Sequence, residues 1–137
     1  MNKYKILFLV LIFYPFYFVQ SKDYKLSDLI FSNGLYYEKN TNKLFNGYVK
    51  GIVNVKIVKG KYDGLYEQFF SNGQLRTKGF YVDGVKNGLW ESYHENGTLH
   101  SKGIYKNGFW EGLWVDHYED GSIRSKGFYQ NGKLIEK

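Results

Sequence analysis

No cysteine occurs among the 137 residues. That removes a disulfide framework, thiolate metal sites, a cysteine nucleophile and a lipid-modified N-terminal cysteine. No apolar run reaches the ~20 residues needed to span a bilayer. The longest, Ile6 to Val19, is interrupted by Tyr14, Pro15 and Tyr17. No serine stands in a nucleophile-elbow pattern, and no glycine-rich stretch ends in Lys-Ser or Lys-Thr to hold phosphate. A 3.6-residue apolar period is also missing, so glycine this dense excludes a helical fold.

The N-terminus has the outline of a secretory leader. Lys3 and Lys5 precede the apolar stretch, and Val19-Gln20-Ser21 supplies compact residues for cleavage. Residues 1–21 therefore read as a signal peptide, with a retained membrane anchor as the rival. The expected destination is secreted, or periplasmic and cell-envelope bound.

The net charge of +6 invites a nucleic-acid reading until it is located. Two lysines belong to the leader. Residues 22–63 hold eight basic and four acidic side chains, whereas residues 64–137 hold nine of each. Nucleic-acid readers concentrate positive charge on the recognition face. Here the C-terminal half is neutral, so nucleic acid is excluded as a partner.

That half is periodic. Gly64, Gly88 and Gly112 open three segments of 24 residues, followed by Gly73, Gly97 and Gly121, then Gly79, Gly103 and Gly127, then Gly84, Gly108 and Gly132. Twelve of the sixteen glycines thus fall in four columns. Gly60 and Ile57 stand 24 residues before Gly84 and Tyr81, which extends the array backwards. The expected organisation is a polar lead-in and first strand over 22–39, then a repeat array over 40–137. It comprises a degenerate unit (40–63) and full units 64–87, 88–111 and 112–135. Such units bury their apolar faces only against neighbours.

Within a unit, Leu65 to Ser71 and Gln74 to Val82 read as strands joined by Asn72-Gly73, and Asp83-Gly84 makes the next turn. Type I′ turns are expected at both places, since Asn, Asp and Gly tolerate positive φ. A two-residue loop at Asn72-Gly73 sets the register. Phe70 then faces Leu75, Phe69 faces Arg76, Glu67 faces Lys78, Tyr66 faces Gly79 and Leu65 faces Phe80. By this register Tyr66, Trp90 and Trp114 lie over Gly79, Gly103 and Gly127, covering bare backbone. Each ring buried contributes on the order of 4–6 kcal/mol at most, from ~150–250 Å² at ~25 cal/mol per Å². The fold class is all-β: tandem β-hairpins forming an elongated, twisted antiparallel sheet.

These columns resemble the MORN-repeat variant family. The matching residues are Gly88-Leu89-Trp90, Tyr93, Asn96-Gly97, Leu99, Tyr105, Asn107-Gly108 and Gly112. Leu35-Tyr36-Tyr37 with Phe45-Asn46-Gly47 further resembles bacterial YwqK-type antitoxin members. The resemblance implies a MORN-like hairpin array, a non-enzymatic module for protein or lipid contacts and, for the bacterial group, an antitoxin or immunity role. His117, beside Tyr118, departs from the family's usual aromatic residue.

Candidate chemistry is sparse. His94 and His100 flank Asn96-Gly97, but Phe70 and Tyr118 share the column of His94, while Arg76 and Arg124 share that of His100. These columns favour a substituted aromatic and an exposed cation over a metal site, so no metal or cofactor is expected. The carboxylates are spread over repeat positions facing cations rather than paired for acid–base work. A basic and aromatic strip remains. Lys78, Lys102 and Lys126 form one column and Arg76, His100 and Arg124 another, two residues earlier. On strand period two both face one way, alongside Phe69, Tyr93 and His117. The expected partner is an acidic protein surface, with an anionic lipid headgroup or a structural envelope role as the alternative.

Overall fold

The computed structural model describes residues 23–136; the leader read over 1–21 lies outside them. A short 3-10 turn (Leu26–Asp28) precedes a small hairpin of β1 (Leu29–Ser32) and β2 (Leu35–Glu38). The next strands are β3 (Gly47–Val49), β4 (Val53–Val58), β5 (Lys61–Phe69), β6 (Leu75–Val82) and β7 (Val85–Tyr93). They continue as β8 (Leu99–Lys106), β9 (Phe109–His117), β10 (Ile123–Gln130) and β11 (Lys133–Glu136). Strands β3 to β11 form one nine-stranded sheet in chain order, each antiparallel to its neighbour. The expected array of hairpins is what forms.

Its turns are of two kinds. At Lys59-Gly60, Asp83-Gly84, Asn107-Gly108 and Asn131-Gly132 both residues have positive φ, between 48° and 85°. This is the type I′ geometry expected of such pairs, and its twist matches that of the strands. At Asn72-Gly73 the expectation fails, because only the glycine is left-handed, at φ 85°. Gly97 and Gly121 repeat this at 86° and 84°. The Phe70 N–H donates to the Gln74 carbonyl at 2.8 Å, and the Gly73 N–H to the Phe70 carbonyl at 3.0 Å. Asn72 Oδ1 accepts the Gln74 N–H at 2.9 Å, an Asx turn that satisfies the loop locally. The connection is thus a turn followed by a left-handed glycine, one step longer than a two-residue loop.

The longer loop corrects part of the register. Leu65–Phe80, Tyr66–Gly79 and Glu67–Lys78 pair as expected. Phe69 then pairs with Leu75 instead of Arg76, leaving Arg76 as an extra residue between Leu75 and Thr77. The same slip recurs at His100 and Arg124.

A second irregularity joins one hairpin to the next. Lys78 pairs with Glu91 and Phe80 with Asn87, so Gly88-Leu89-Trp90 stand against Gly79 alone. Gly88, at φ 73°, adopts the backbone this bulge requires. The ring over Gly79 is consequently Trp90 of the following unit, not Tyr66: a Cβ on Gly79 would lie 2.2 Å from the indole. Trp114 covers Gly103 in the same way at 2.2 Å, and Leu134 takes that place over Gly127. Each indole N–H donates to a bulge carbonyl, Trp90 to Phe80 at 3.2 Å and Trp114 to Ile104 at 3.1 Å. Both rings are buried, with their polar atom satisfied. The first two full units therefore need the next one to close their own backbone, while the last is closed by its own Leu134.

The rings run on as a ladder along this face, from Tyr36 through Tyr62, Tyr66, Trp90, Tyr105 and Trp114. At the N-terminal end its first members, Tyr36, Tyr62 and Tyr66, pack against a compact core of Leu29, Phe45, Val49, Val53, Val55 and Ile57. The lead-in expected to be merely polar contributes here, since β1 pairs with β2 and buries Leu29. The small hairpin docks by backbone bonds, the Tyr36 N–H donating to Gly60 at 2.8 Å and the Phe45 N–H to Tyr36 at 2.9 Å.

Candidate interaction surface

The sheet has a ring face, carrying Tyr66, Trp90 and Trp114, and an opposite face. Lys78, Tyr93 and Lys102 stand on the opposite face around Glu91. Glu91 accepts from Lys78 Nζ at 2.8 Å, Lys102 Nζ at 2.9 Å and the Tyr93 hydroxyl at 3.1 Å. Lys78 also lies over the Tyr93 ring, 5.9 Å from its centre. Hydrogen bonds from both lysines pull the Glu91 carboxyl down to about 2 from 4.5, and the Glu91 bond holds Lys78 above its usual value. A carboxyl lowered on folding stabilises the folded state above its unfolded value and loses that contribution as pH falls through the folded one. Glu91→Gln should therefore cost about 1–2 kcal/mol at neutral pH, discounted because the lysines are half exposed. The difference from wild type should vanish between pH 4.5 and about 2, as urea unfolding across that range will show.

Phe69, His117 and Lys126 continue this face by strand alternation. The third unit has Val115 where the second has Glu91, and Val115 pairs with Lys126, so the ionic cluster is not repeated there.

Arg76 and His100 do not join them, which corrects the expectation of one continuous strip. Each is the extra residue of its bulge, and strand parity fails across it. Arg76 turns to Phe70, 5.6 Å from its ring. His100 Nδ1 meets Ser92 Oγ at 3.1 Å, and Ser92 lies two positions from Trp90 on the ring face. Arg124 holds the same bulged position in the third unit. His94 and His100 do meet, with ring centres 4.6 Å apart. His94 Nε2 donates to the His117 carbonyl at 3.0 Å, so that nitrogen is already committed.

One feature of the opposite face escaped the sequence reading. Leu65, Phe80, Leu89, Ile104, Leu113 and Phe128 form a row across six strands, each between 44% and 52% exposed. They couple as Leu65–Phe80, Leu89–Ile104 and Leu113–Phe128. Each stands two residues from a member of the Glu67, Lys78, Glu91, Lys102, Val115 and Lys126 row. The predicted register carries the signal, since Leu65 opposes Phe80, but pairing alone does not say that this face meets solvent.

A single layer of hairpins, each paired to the next in chain order, defines a tandem β-hairpin repeat protein. The MORN repeat variant family matches residues 62–83, 86–107 and 110–131, and the chain belongs to that family. It is a family of non-catalytic repeats. No curated protein matches the chain.

Proposed function

We propose that this is an exported, non-enzymatic scaffold that binds a protein partner through the apolar row, with residues 40–63 acting as a degenerate first repeat. The observation that carries the reading is the six-residue row itself. Contiguous exposed apolar surface bordered by charge marks interaction sites rather than ordinary solvent-facing sheet. An anionic lipid surface fits less well, because Glu91 already draws Lys78 and Lys102 into ion pairs and leaves one excess positive charge beside the row. The leader over 1–21 supports delivery to the envelope or the exterior, and the family resemblance supports an antitoxin or immunity role within the binding class.

The paired substitution Phe80→Ser and Ile104→Ser tests this without touching the ring ladder. Affinity capture from the cell envelope should recover a partner with the wild-type chain and lose it with the double variant. Undiminished capture, or equal retention of both forms on phosphatidylglycerol vesicles in place of a protein, would count against the proposal.

A further inference from the structure

Two hollows open on the ring face, and they are the same hollow repeated. One, of about 190 Å³, is bordered by Lys86, Trp90, Ser92, Ser101 and Tyr105. The other, of about 430 Å³, is bordered by Trp110, Trp114, Asp116, Ser125 and Tyr129. Adding 24 to each number of the first set gives the second. Each hollow thus sets an aromatic side chain beside a short polar row, Trp110 in the larger and Tyr105 in the smaller, where Trp90 is buried under Lys86. In the larger one Trp110 stacks on Trp114 with centres 4.8 Å apart and remains 37% exposed. Ser125 Oγ donates to Asp116 Oδ2 at 2.8 Å, which leaves Oδ1 and hydroxyl lone pairs for a ligand. In the smaller one Ser92 and Ser101 share a 2.6 Å bond, and the Lys86 ammonium lies 4.2 Å above Trp90.

We propose that the ring face binds a linear polysaccharide, with one sugar subsite at each of the two hollows and the Trp110 hollow as the principal one. A sugar ring offers a polarised C–H face to an indole and a rim of hydroxyls that both donate and accept. Asp116, Ser125, Ser92 and Ser101 answer that rim. Repeats two strands wide recur every ~9.6 Å, since neighbouring strands lie ~4.8 Å apart. That is the scale of a disaccharide step in an extended β-1,4-linked chain. A proline-rich peptide also uses aromatic grooves, but it needs N–H donors for its carbonyls. The indole N–H groups of Trp90 and Trp114 are already spent on Phe80 and Ile104, which leaves Trp110 as the one indole of the two hollows able to donate. Asp116 disfavours an anionic ligand in the larger hollow.

The test is calorimetric titration of the purified chain with chitohexaose, cellohexaose, their disaccharides and a decaproline peptide. One hexasaccharide should bind, and its disaccharide should bind at least about tenfold more weakly because only one subsite is filled. Trp110→Ala should weaken the hexasaccharide about tenfold, and the near-isosteric Asp116→Asn should weaken it severalfold. The Phe80→Ser, Ile104→Ser variant, altered on the other face, should bind as wild type, so this inference and the protein-partner reading fail separately. Absence of binding to both hexasaccharides, affinity unchanged by both Trp110→Ala and Asp116→Asn, or binding of decaproline alone would overturn the proposal.

Discussion

Replacing Gly103 with alanine is expected to destabilise the sheet by about 3 kcal/mol, far beyond what an alanine normally costs in a strand. The added Cβ would sit 2.2 Å from the middle of the Trp114 indole. That ring is rigid and cannot yield as a flexible side-chain tip would. It must lift from the sheet, losing its burial and its 3.1 Å bond to the Ile104 carbonyl. Trp114→Ala should cost about 3–5 kcal/mol by the same loss. The double variant is the sharper experiment. With the ring gone the new methyl has space, so the two costs should not add, and the pair should be no less stable than Trp114→Ala alone. Gly97 provides the contrast: nothing lies within 4 Å of its Cβ position, and only its φ of 86° opposes a side chain. Gly97→Ala should therefore cost about 1–2 kcal/mol. Urea midpoints will rank the four proteins, and full additivity in the double variant would refute the interlock between units.

Phe45→Ala should cost a comparable 3–5 kcal/mol, but at the other end of the molecule. Phe45 has no solvent exposure and is the largest of the fully buried side chains, beside Ile57 and Val49. Its ring meets Tyr24 edge-on at 4.8 Å and fills the space where a Cβ on Gly47 would lie, 2.8 Å from Phe45 Cζ. Its backbone also joins the small hairpin to the sheet, giving a bond to the Tyr36 carbonyl and taking one from the Gly60 N–H. In a linear repeat array each unit touches only its neighbours, so damage should remain local. Hydrogen exchange should accelerate across β1 to β4 while β7 to β10 keep their protection. Uniform loss of protection would show a cooperative unit larger than the repeat model allows.

The strands, their antiparallel order and the pairs Tyr66–Gly79, Glu67–Lys78 and Trp90–Gly103 were legible because they follow from local counting between turns. Asp83-Gly84 was legible as a type I′ turn for the same reason. Asn72-Gly73 was not, although the dipeptide chemistry is nearly identical. The bond from the Gln74 N–H to Asn72 Oδ1 selects the longer loop, and a dipeptide signal cannot register that competition. One residue of slip then moved Arg76 and His100 to the other face and divided the expected strip. The lead-in was missed because Leu29 is a lone apolar position whose burial depends on Phe45 and Ile57, distant in sequence.

The glycine columns and the 24-residue period, by themselves, determined that the chain is a stack of hairpins, where each one ends and that no catalytic cluster is spelled out. Those are properties of local φ preference and side-chain alternation, which neighbouring residues largely decide. Which ring covers which glycine was settled only in the tertiary structure. A strand glycine has two neighbouring strands, and the bulge at Gly88-Leu89 aims Trp90 back across Gly79 instead of leaving that place to Tyr66. The two faces were decided there too, since a bulge reverses strand parity and no repeat column records the reversal.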